Sequence, residues 1–175
     1  MRFMRFSGIT LVFLTAVSLC AQGLSNRRAP SFSLPDSNLR QHDILDYRGN
    51  WLLLEFTETN STKAKDLASR LEAVKKQYGV KVAILSIVIT PPETQTTVAK
   101  FAADTKMTSP VVFDSSQVAI SYFKATPQNS GFDSPHLFAI SPTGMIVKDW
   151  TYPATVGLGF IADIDRLIVG SPGKK

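Results

Sequence analysis

Trp51-Leu52-Leu53-Leu54-Glu55-Phe56 is apolar at every position but one, and a turn (Tyr47-Arg48-Gly49-Asn50) leads into it. A six-residue run with five apolar residues and no alternation is the pattern of a strand covered on both faces. A helical segment follows: Ala64, Leu67, Ala68, Leu71, Val74 and Tyr78 recur at three- and four-residue spacings. Asn60, Ser61 or Thr62 can cap its start, and Gly79 ends it. Val82 to Ile89 is a second apolar run, again read as a buried strand. Strand, helix and strand of this kind make a parallel βαβ unit with a right-handed crossover, so strands 51–56 and 82–89 are expected to lie parallel in one mixed sheet, adjacent to one another or to the 136–140 strand.

Working outward, Thr90-Pro91-Pro92-Glu93 reads as a capping box with proline in the first turn, opening a helix that carries Val98, Phe101 and Ala102 inward and runs to about Lys106. Pro110-Val111-Val112-Phe113 reads as a short strand and Gln117 to Phe123 as a short helix. Lys124 to Ser134, rich in Gly, Pro, Asn and Ser, is a loop. His136 to Ile140 and Met145 to Trp150 form a hairpin through Ser141-Pro142-Thr143-Gly144, and Leu158 to Val169 is a last amphipathic helix stopped by Gly170 and Pro172. On the other side, Leu24 to Pro35 is an extended approach, and Ser37 to Asp46 is polar and turns. The expected fold is a three-layer α/β/α domain with a mixed central sheet.

Length and composition suit this reading. The chain has 175 residues, 44% of them hydrophobic and 19% charged, which is enough apolar matter for one core and too little charge for a disordered chain. One cysteine, Cys20, excludes an internal disulfide, and with His42 and His136 it leaves three scattered candidates for a zinc site that needs about four ligands. The net charge of +5 is spread along the chain rather than gathered in a basic stripe with aromatics, so no nucleic-acid surface is expected. No metal and no cofactor is expected either.

Residues 1–23 read as a signal peptide. Arg2 and Arg5 precede the apolar Ile9 to Leu19, which is too short to span a bilayer, and Ala21-Gln22-Gly23 offers small residues for cleavage. Leu19 before Cys20 argues against a lipoprotein, whose peptidase wants a small residue there. Removal of residues 1–23 takes away two arginines and no acid, leaving residues 24–175 as one domain of net charge +3 without cysteine. The product is expected in the periplasm or outside the cell.

Four segments carry a resemblance to a known family. Ala29-Pro30-Ser31-Phe32-Ser33-Leu34-Pro35-Asp36 is similar to A-P-x-F-x-L-x-D; Asp46-Tyr47-Arg48-Gly49-Asn50 with the strand after it is similar to D-Y-R-G-K. Phe113-Asp114 before a helix ending in Tyr122-Phe123, and Ser134-Pro135-His136-Leu137-Phe138-Ala139-Ile140-Ser141-Pro142-Thr143-Gly144, match two more segments in order. Together they resemble the redoxin branch of the thioredoxin fold: TlpA/ResA-like exported thiol-disulfide proteins and the related AhpC/TSA peroxiredoxins. That resemblance implies an oxidoreductase or peroxidase by descent, a cis-proline at Pro135, and a proton-accepting carboxylate at Glu55.

The family's C-x-x-C falls five residues after the phenylalanine of the first central strand, which is Ser61-Thr62-Lys63-Ala64 here. Disulfide exchange needs a thiolate attacking sulfur; Ser61 supplies no thiolate and Ala64 cannot resolve a mixed disulfide. Ser61 as a hydrolytic nucleophile would need a base, for which His136 is the candidate; the plainer role is a helix cap. Glu55, without a dithiol to serve, is expected to pair with Lys63 or Lys81 or to face an edge. The reading favoured is a non-catalytic binding module whose groove (Glu55, Asn60, Ser61, Thr62, Ser134, Pro135 and His136) takes an extended peptide or protein. The competing readings are a redoxin enzyme by descent, a site using Ser61, Glu55 and His136 for other chemistry, and a structural scaffold.

Overall fold

The computed structural model describes residues 23–89 and 94–170. The signal-peptide reading of 1–23 falls almost wholly outside the described residues, as does the capping box read at Thr90 to Glu93. The helix that follows opens at Gln95, where Thr94 and Thr97 make the reciprocal cap.

The chain runs β1 (Arg27–Arg28), β2 (Ser33–Pro35), β3 (Gln41–Asp43), a 3-10 turn (Ile44–Tyr47), β4 (Trp51–Thr57), α1 (Thr62–Tyr78), β5 (Val82–Val88) and α2 (Gln95–Thr105). It continues with β6 (Val111–Phe113), α3 (Gln117–Phe123), β7 (His136–Ile140), β8 (Met145–Thr151), α4 (Tyr152–Val156) and α5 (Leu158–Ile168). Six strands form one sheet in the order β1-β8-β7-β4-β5-β6. β4, β5 and β6 are parallel to one another; β7 pairs antiparallel with both β4 and β8, and β1 pairs antiparallel with β8. The mixed sheet is the expected one, and of the two neighbours expected for strand 51–56 the structure gives both: β4 lies between β5 and β7.

All seven residues of β4 are buried because the strand is central and both faces are covered. Alternation sorts them. Leu52, Leu54 and Phe56 join Leu85, Ile87, Tyr122 and Phe138 in one core, with α3 and the incoming chain over it. Trp51 and Leu53 face the other way, against Leu67 and Leu71 of α1 and Phe160 and Ile164 of α5. A smaller cluster joins Ala64 and Ala68 of α1 to Val88, Val98 and Phe101 on that second side. The face opposite α1 is dense in rings: Phe56, Tyr122 and Phe138 meet with centroids 5.0–5.7 Å apart.

The polar Ser37–Asp46 stretch holds more than turns. β2 and β3 pair as a small antiparallel ribbon, and Asp43 caps the 3-10 turn through Leu45 N. His42 bridges Asp36 (3.0 Å) and Tyr47 (3.4 Å) across that ribbon. The two-residue β1 adds an edge to β8.

Candidate active-site end of the sheet

β4 ends at Thr57, and four residues later Ser61 starts α1. Ser61 has extended backbone (φ −91°, ψ 130°), and its hydroxyl accepts a bond from Ala64 N at 3.4 Å. That is an N-cap: the side chain satisfies one of the helix's unpaired amides. Asn60, Thr62 and Lys63 are exposed, and the Lys63 ammonium stands 5.8 Å from the Tyr152 ring. Ala64, by contrast, is completely buried in the Ala68–Val88–Val98 cluster. Four positions that in a dithiol protein would do one job here do three: cap, solvated surface and core.

The Ser134–Pro135 peptide is cis, as the resemblance implies. Phe56 pairs with His136, so Pro135 stands at the same end of the sheet as Thr57 and the approach to α1. Pro135 is buried, and the Ser134 hydroxyl oxygen is buried without a hydrogen-bond partner.

Glu55 neither pairs with lysine nor reaches an edge, contrary to the expectation above. It lies in the middle of the sheet, opposite Ser86 on one side and Leu137 on the other, with no exposed surface. Ser86 Oγ donates to Glu55 Oε2 at 2.6 Å, and Oε1 has no partner. Burial pushes this acid up to about 7; the Ser86 bond pulls the other way, and the hydroxyl of Thr57 leans the same way without reaching bonding geometry. Glu55 therefore changes charge around neutrality rather than in the usual carboxylate range. The sequence carried a signal for its partner, since Ser86 is the one polar residue inside the second apolar run.

His136 is also corrected. Leu137 and Ala139 pack on the α1 side, so His136 and Phe138 point to the opposite face. There the imidazole lies among Phe123 (5.1 Å) and Phe138 (4.8 Å), and its Nε2 meets Asp149 Oδ2 at 3.1 Å. Burial lowers its pKa against the pull of Asp149 and Asp133. Asp149 in turn accepts from Ser25 Oγ. The sheet thus separates His136 from Ser61 and Glu55, and a serine–histidine hydrolytic pair at Ser61 does not form. Asp149 and Ser25, which hold the histidine, were not singled out in the sequence, because their pairing depends on β1, β7 and β8 lying side by side.

Among the described residues no group of three or more His, Cys, Asp or Glu is placed to hold a metal ion, and no helix is long and apolar enough to cross a membrane. A small concavity lined by Tyr47, Arg48, Asn50 and Gly144 lies at the opposite end of β4 from Ser61.

The family model described as AhpC/TSA family matches residues 25–149. No curated protein matches the chain. Its fold is similar to several solved structures. The thioredoxin domain of a thiol-disulfide oxidoreductase from Bacteroides vulgatus has a TM-score of 0.67 and 16% identity over 82% of this chain and 97% of that one. A thiol-disulfide oxidoreductase from Bacteroides fragilis has a TM-score of 0.62 and 21% identity over 79% of this chain and 99% of that one. A hypothetical protein from Sinorhizobium meliloti has a TM-score of 0.69 and 18% identity over 86% of this chain and 87% of that one. At these identities the likeness is one of fold.

Proposed function

The chain belongs to the AhpC/TSA family, and from that membership we propose that it is an exported, non-catalytic binding module that receives an extended peptide or protein segment at the α1–Pro135 end of its sheet. One observation carries the reading: at the helix start where this fold places its thiols, Ser61 caps the helix and Ala64 is core, and no cysteine follows Cys20. A neutral hydroxyl neither attacks a disulfide nor reduces a peroxide. The side chains that other chemistry would recruit are spoken for: Glu55 is closed off with Ser86, and His136 is on the far face with Asp149.

What remains at this end is a binding surface. The α1 start presents amides and partial positive charge with no acid in the first turn, and Lys63 adds a full charge beside Tyr152. These favour backbone carbonyls or a carboxylate over an apolar group. Export rests on the leader-like residues 1–23, and residues 24–175 act as one domain.

The test has two arms. The processed protein is expected to leave insulin disulfides and hydrogen peroxide unconsumed in the presence of dithiothreitol; turnover above the uncatalysed rate refutes the non-catalytic reading. Affinity capture from the cell envelope is expected to retain a partner that Ser61→Arg loses. Identical capture by the wild type and that variant removes the α1 start from the binding surface.

A further inference from the structure

The turn before α1 carries one more chemical feature. Five asparagines occur in the chain, and only Asn60 has a hydroxyl residue two positions on: Asn60-Ser61-Thr62, with no proline at 61 or 63. We propose that Asn60 is an acceptor for N-linked glycosylation, the attached sugar standing at the head of α1.

The geometry supports presentation of both halves of the acceptor. Asn60 and Thr62 are exposed, and the Asn60 carboxamide makes no hydrogen bond to the described residues. Ser61 between them is extended, and an extended residue sets the side chains before and after it on the same side. Ser61 itself turns inward to cap Ala64 N, so its hydroxyl is engaged while those flanking it face solvent. An N-x-Ser/Thr sequence on an exposed turn of an exported chain is the arrangement glycosylation requires.

The step needs a co-reactant, an oligosaccharide linked through C1 to a lipid diphosphate, and an oligosaccharyltransferase. Asn60 Nδ2 forms the new bond to C1 and gives up one proton. The bond from C1 to the diphosphate oxygen breaks, and the lipid diphosphate leaves. No electron is gained or lost by the protein. A glycan rooted at Asn60 would leave the Ser61 cap and the buried Ala64 untouched.

This inference rests on the export reading, and the experiment separates the two. The protein is purified from the envelope of its own host and digested with trypsin, which cuts after Arg48 and Lys63 and isolates residues 49–63. The expected result is that peptide heavier by a whole number of sugar residues, with fragmentation placing the added mass on Asn60. Thr62→Ala should abolish the addition and Thr62→Ser should keep it; because Thr62 is exposed, neither should disturb folding. An unmodified 49–63 peptide from protein whose leader has been removed overturns the proposal, as does sugar on Asn60 persisting in Thr62→Ala. Undigested protein whose intact mass still includes residues 1–23 overturns export, and the glycosylation proposal with it.

Discussion

Replacing Glu55 by glutamine should stabilise the protein, and only in one pH range. An exposed glutamate titrates at 4.5, whereas burial lifts Glu55 to about 7. Between those values the folded state binds more protons than the unfolded one, so stability falls as pH rises. Below 4.5 both states are protonated and Glu55 costs nothing; above 7 the full cost is present. At 1.36 kcal/mol per pKa unit, the penalty above pH 7 is about 3 kcal/mol. Glutamine keeps the shape and an oxygen for the Ser86 hydroxyl, and it is neutral throughout. Chemical denaturation of the wild type and Glu55→Gln from pH 4 to 9 reads the difference directly, because all other groups titrate alike in both proteins. The gap between them should widen in favour of Glu55→Gln by about 3 kcal/mol between pH 4 and pH 8, or about 6–12 °C in Tm. Any constant offset from the changed amide drops out of that difference. A gap that stays flat with pH, or that widens as pH falls, refutes the placement of Glu55 as a buried acid with one bonded oxygen.

Two further outcomes follow from the start of α1. Ser61→Ala removes the cap on Ala64 N and should cost about 1 kcal/mol in thermal or chemical denaturation, with Ser61→Gly costing less; no loss would mean the amide is satisfied in another way. Ser61→Cys combined with Ala64→Cys should close a reducible disulfide, detected by a mass change of two hydrogens on reduction and by new insulin-reducing activity, since an i,i+3 pair at a helix start suits the bond. A double variant that folds but stays reduced under oxidising conditions would show that positions 61 and 64 are misassigned.

The elements that were legible in the sequence are those whose signal is local. The mostly apolar run of β4 and the spacing of α1 each state their structure within a few residues, and Ser61 announces itself as a cap because capping needs only the next three residues. The hairpin of β7 and β8 is legible for the same reason: its turn is contiguous, and Gly144 adopts φ +83° there. The ribbon of β2 and β3 was not. Its strands are three residues each, too short for a period to show, and they are held by Asp36, His42 and Tyr47 meeting across the turn. α4 escaped notice too, being a single turn and a half ahead of a helix with a clear pattern.

The sequence alone determined that this chain has a sheet of parallel and antiparallel strands and that positions 61 and 64 carry no thiol, because apolar periodicity and residue identity are properties of the chain itself. The partners of its buried polar groups were decided only in three dimensions. Glu55 meets Ser86 because two parallel strands adopt one register out of several, and 31 residues separate the two. His136 turns away from Ser61 because a strand's side chains alternate, and only its pairing with β4 and β8 determines which face each parity takes. A side chain's neighbours across a sheet are set by register, and register is a property of the assembled strands rather than of any one of them.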